Sequence, residues 1–132
     1  MKKITQLNNE KVSFVQRDTV EEGVICDVYS YDEFDNKDLG IVTVQPGCKT
    51  PNQKVVGGDK TLEGWFSGSG TLRIIHVNDR ESVHEFNKES DIKEVEVMIG
   101  EQMQWQAGEN GLKFYEICYP PYKEGRFKNL SD

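Results

Sequence analysis

Histidine is nearly absent from this 132-residue chain, with only His76 and His84 on either side of Asn78-Asp79-Arg80. Two imidazoles alone make a poor transition-metal site, which wants three or four converging donors. Cysteine is scarce and odd in number: Cys26, Cys48 and Cys118 lie far apart, with no Cys-x-x-Cys pair. That excludes a disulfide framework and points to reduced thiols in a cytoplasmic protein, with Cys48 read as a small hydrophobe rather than a reactive thiol. No basic run exceeds Met1-Lys2-Lys3, and the net charge is -7. Nucleic acid and anionic membrane surfaces are therefore poor partners. No apolar run approaches the ~20 residues of a membrane helix, and Thr5, Gln6, Asn8, Asn9 and Glu10 interrupt any signal-peptide core. Ser/His/Asp, Cys/His, phosphate-loop and dinucleotide signatures are missing too, so no cofactor is expected. No segment carries a helical period over a dozen residues.

What is present is a series of short β-type runs. Val24-Ile25-Cys26-Asp27-Val28-Tyr29, Gly40 to Gln45, Thr71 to Val77, Ser82 to Phe86 and Leu112 to Tyr119 are rich in β-branched and aromatic residues. Val12 to Val15 and Met103 to Gln106 are shorter candidates. From Ile92 to Ile99, Val95, Val97 and Ile99 alternate with Glu94 and Glu96, the mark of a strand with one wet side. Turn signals stand at Pro46-Gly47, Gly68-Ser69-Gly70, Asn78-Asp79-Arg80, Ala107 to Gly111 and Pro120-Pro121. Eight to ten strands at such spacing predict an all-β barrel or sandwich formed as one domain over residues 1–132. The polar tail carries Tyr122, Phe127 and Leu130, which are expected to lie on the barrel exterior.

The order Pro46-Gly47, strand, Gly68-Ser69-Gly70, two strands, then Gly100 and Gly108 resembles the cupin superfamily over about residues 40–121. The resemblance implies a double-stranded β-helix, a jelly-roll barrel with one pocket, and commonly a homodimer. Metal-dependent cupins hold their ion with three histidines and a glutamate. Here the corresponding positions carry Gln53, Val55, Thr61 and Gly111, while Gln106 replaces a proline and Tyr115 an asparagine. A metal-free site is the consequence.

In that register Gln53, Thr61, Glu63 and Trp65 point inward, with Trp105 near the second glycine turn and Tyr115, or alternatively Glu116 and Cys118, from the last strand. These six (Gln53, Thr61, Glu63, Trp65, Trp105 and Tyr115) are the expected ligand-binding residues. Aromatic faces beside amide, hydroxyl and carboxylate groups suit a small polar metabolite such as a carbohydrate. The same aromatics also suit a filled core. Glu63 inside the barrel would have a raised pKa and be a functional candidate; outside, it is an ordinary surface acid. A sugar or sugar-nucleotide isomerase or epimerase using Tyr115 and Glu63 for proton transfer is the alternative function, with Lys49, Lys54 and Lys60 anchoring phosphates. A purely structural barrel with a filled interior is a third.

Overall fold

The computed structural model describes residues 3–121 and 127–130. It is all-β among those residues, with strands β1 (Gln6–Leu7), β2 (Glu10–Glu21), β3 (Val24–Tyr31), β4 (Asp38–Val44), β5 (Asn52–Val55), β6 (Lys60–Ile75), β7 (Glu81–Phe86), β8 (Glu94–Met98), β9 (Gln102–Tyr119) and β10 (Phe127–Leu130). Every pairing is antiparallel.

Two long strands build the molecule. β6 and β9 pair from Lys60↔Tyr119 to Ile75↔Gln102. At one end β9 continues into β4, β3 and β2, and β6 accepts β8. At the other end β9 takes β5 and then β10, and β6 takes β7. The same two strands thus belong to both halves of a sheet curled on itself.

The expected turns at Gly68-Ser69-Gly70 and Ala107 to Gly111 are corners inside β6 and β9, not hairpins. The ladder jumps from Gly68↔Leu112 to Gly70↔Ala107. Gly68 and Gly111 both take positive φ, 79° and 80°, and a side chain on Gly68 would overlap the Gly111 carbonyl. Glycine lets both strands bend while their pairing resumes beyond the corner. The tail also differs from expectation. Phe127 to Leu130 form β10 beside β5 instead of lying on the exterior, because antiparallel pairing satisfies the exposed backbone of β5. Tyr122 falls outside the described residues.

The alternation of each strand sorts side chains onto two faces. Inside the curl lie Val42, Val44, Leu72, Ile74, Trp105, Leu112 and Phe114, all buried. On the opposite face of β3, β4 and β9, Tyr29, Leu39, Ile41, Tyr115 and Ile117 form a second buried cluster, with Ile4 and Leu7 from the N-terminal segment packed on it. Tyr115 lies directly over Gly64, where any Cβ would overlap its ring. Gly64→Ala should therefore cost about 1–3 kcal/mol through overpacking, read as a lower urea midpoint at unchanged slope.

Candidate functional site

The pairing register decides which predicted residues share a face. Thr61 stands opposite Cys118, Glu63 opposite Glu116 and Trp65 opposite Phe114. The interior phase of the last strand is therefore the one that carries Glu116 and Cys118. Tyr115 pairs with Gly64 and points to the other side, where its hydroxyl donates to the Glu94 carboxylate. Its placement in the pocket is corrected: the motif alignment fixed a position along the strand, but the strand's parity puts that position on the outer face.

A cavity of about 470 Å3 opens between β2, β3, β4 and β9 on one side and β5 and β10 on the other. Val24, Val28, Val42 and Phe114 give it apolar walls, and Gln53, Asn129 and Phe127 line it from the β5–β10 pair. Gln53 Nε2 donates to Asn129 Oδ1 at 3.0 Å. Gln53 is the one residue of the predicted six that lines this space.

Thr61, Glu63 and Trp105 stand behind its wall, in the core. Trp105 stacks on Phe114 with ring centroids 4.4 Å apart and planes 9° from parallel. Its indole N–H donates to Glu63 Oε1 at 2.9 Å. Trp65 lies partly buried against the core; its indole donates to the Gly68 carbonyl at 2.8 Å and the Lys93 ammonium covers its ring. These aromatics fill and brace the barrel.

Glu63 does point inward, and it is completely buried. Its Oε2 makes no hydrogen bond of good geometry, with Thr61 and Glu116 as its polar neighbours. Burial first, and then the negative charge of Glu116, hold the Glu63 carboxyl well above the usual carboxylate range; the Trp105 N–H opposes them.

The acids lining the cavity are Asp18, Asp38 and Glu116, and no Lys or Arg among the described residues lines it. Sequence reasoning missed Asp18 and Asp38, which sit on strands outside the matched motifs or at a strand's first residue. Their combined field reaches Cys26, whose thiol is pushed up by burial and then by Glu116, Asp18, Asp27 and Asp38. The lysines expected to anchor phosphate lie elsewhere. Lys60 pairs with Glu96 at 2.8 Å, and neither Lys49 nor Lys54 lines the cavity.

No family profile matches this sequence, and no curated protein matches it either. Solved structures do match in shape. Oxalate decarboxylase from Bacillus subtilis superposes with a TM-score of 0.73 at 12% identity, covering 98% of this chain and 33% of that one. The capsular polysaccharide assembling protein CapF from Staphylococcus aureus gives 0.69 at 13% identity, covering 92% and 34%. Both are cupin-fold proteins. This chain has the cupin fold. It spans about a third of the length of those structures.

The metal centre that the fold family implies does not fit these residues. Gln53, Val55, Thr61 and Gly111 occupy the ligand positions of the matched motifs. Among the described residues no three His, Cys, Asp or Glu side chains are grouped to hold a metal ion. The two histidines do not meet: His84 sits opposite Leu72 and near Phe86, while His76 contacts Ser82 and Glu101. Likewise no helix among the described residues is long and apolar enough to cross a membrane.

The raised Glu63 pKa fixes the sign of a pH effect. The folded state binds this proton more tightly than the unfolded one, so the associated stability is complete below the ordinary carboxylate value of 4.5. It is lost as pH rises through the raised value. Glu63→Gln keeps an acceptor for Trp105 and carries no charge. The variant should gain on the wild type as pH rises above the ordinary carboxylate range, measured as urea midpoints.

Proposed function

We propose that this protein binds a small, uncharged polar metabolite in the cavity between β4, β9 and the β5–β10 pair, and that it does so without chemistry. The carrying observation is the cavity of about 470 Å3, which combines the Phe114 and Phe127 rings with the Gln53 and Asn129 amides and three carboxylates. Such a wall offers apolar area for a sugar's C–H face and acceptors for its hydroxyls. A carbohydrate or related polyol suits it, and the likeness to a capsular polysaccharide assembling protein is consistent with that class.

The isomerase alternative has less support. Its two candidate groups are separated by the sheet itself, since Glu63 faces the core and Tyr115 the outer cluster. A phosphorylated sugar would also meet carboxylates without a compensating cation along the described lining. In this reading the protein acts in the cytoplasm as a homodimer and needs no metal or cofactor. The three cysteines, which form no disulfide, suit a reducing compartment.

A thermal-shift panel of hexoses, pentoses and polyols, each beside its phosphate ester, tests the reading. At least one neutral member should raise the melting temperature, since saturation to 100-fold above Kd stabilises by about 2.7 kcal/mol. Its phosphate ester should do less. Val28 faces Gly40 across the cavity wall, so Val28→Trp has room to fill the space and should remove the shift. A panel with no response, or an undiminished response in Val28→Trp, overturns the proposal.

A further inference from the structure

Away from the cavity, three side chains meet that no sequence motif connects. Ser82 is the second residue of β7, His76 follows the end of β6, and Glu101 lies in the turn between β8 and β9. Ser82 Oγ is 2.6 Å from His76 Nε2. The other ring nitrogen, Nδ1, contacts Glu101 Oε2. Glu101 is buried, and its Oε1 accepts from the Met98 backbone N–H at 2.8 Å.

We propose that Ser82, His76 and Glu101 form a nucleophilic site for esters of small apolar acyl groups. The order of contacts is that of a serine nucleophile, an imidazole base and a carboxylate that orients the base. With the ring proton on Nδ1 facing Glu101, Nε2 accepts the Ser82 hydroxyl proton. Glu101 acts as a positioning residue. Both turns that carry the base and its orienter are tied down: His76 N–H donates to the Arg80 carbonyl at 2.8 Å, and Glu101 N–H to the Met98 carbonyl at 3.0 Å.

Two further features complete the site. Among the described residues β7 pairs only with β6, so alternate backbone N–H groups along its other edge have no strand partner. Of Ser82 and Val83, adjacent on the strand, one N–H points to that edge, where an oxyanion can be held. Beside the trio lies exposed apolar surface: Val77 is 74% and Ile99 48% exposed. Val77 follows His76 in the chain and stands against Gly100, the residue between Ile99 and Glu101. That surface suits a short hydrocarbon acyl chain.

The step balances with water as the only co-reactant. Ser82 Oγ attacks the ester carbonyl carbon while its proton passes to His76 Nε2. The carbonyl–alkoxy bond breaks, and the alcohol leaves with that proton. Water then attacks the acyl-Ser82 ester, giving a proton to His76. The carboxylic acid departs as His76 Nε2 passes that water-derived proton to Ser82 Oγ.

The test treats the whole chain with an alkyl fluorophosphonate, from which the Ser82 oxygen displaces fluoride, and maps the adduct by tryptic mass spectrometry. The expected result is an adduct on Ser82 that is absent in Ser82→Ala and forms at least about tenfold more slowly in His76→Ala. Hydrolysis of p-nitrophenyl butyrate should fall in the same order. Glu101→Gln should slow labelling, and Glu101→Asp, which restores a carboxylate, should recover part of the rate. A wild-type protein unmodified at Ser82, or ester hydrolysis unchanged in Ser82→Ala, overturns the proposal whatever the variants do to stability. Labelling of Glu101→Gln at the wild-type rate overturns the role of Glu101.

Discussion

The ladder between β6 and β9 is the constraint on which the rest of this protein depends. It runs from Lys60↔Tyr119 to Ile75↔Gln102 and passes through the corner where Gly68 meets Gly111. Each half of the curled sheet is built outward from a different half of these two strands. The position of β4 against β9, and so the floor of the cavity, is set by the same backbone that places β7 and β5. A slip of one residue would turn Phe114, Glu116 and Cys118 out of the interior and bring Tyr115 and Ile117 into it. The bulged glycine corner fixes that register.

Within this frame Glu63 is the least comfortable residue. An unpaired carboxylate at full burial is costly, and proteins meet such costs by keeping the group neutral. Here the indole N–H of Trp105 satisfies one oxygen, while the second faces Glu116 and Thr61. Since Glu63 and Trp105 come from opposite halves of the curl, their hydrogen bond is a polar link between two apolar layers. Trp105 adds its stacking on Phe114, so one side chain ties the buried acid to the cavity wall.

Much of the fold was legible in the residues. β-Branched runs gave the strands β3, β4, β7 and the end of β9, and the alternation of Val95 and Val97 with acids located β8. The inward direction of Thr61 followed from the cupin register and the period of two, whereas that of Glu63 stayed open until pairing set it opposite Glu116. Other features were not legible because local sequence does not encode them. A glycine cluster reads the same whether the chain reverses, as at a hairpin, or bends and continues, as at Gly68. The parity of Tyr115 depends on a bulge whose residue count only pairing reveals. Asp18, Asp38 and Asn129 meet at one cavity from strands distant in the chain. The contact of Ser82 and His76 with Glu101 likewise arises when a hairpin and a separate turn are brought side by side.

The cavity is walled by residues from Asp18 to Asn129, and the bond from Gln53 to Asn129 spans 76 positions. No short fragment of the chain therefore contains the site. Contacts this non-local are made late and slowly, because loop-closure entropy is lost before they form. A molecule held in the cavity has affinity for the completed fold and none for its parts. Its binding free energy is then a contribution to the stability of the whole barrel, so the cellular supply of that molecule would also set how much of the chain survives as folded protein.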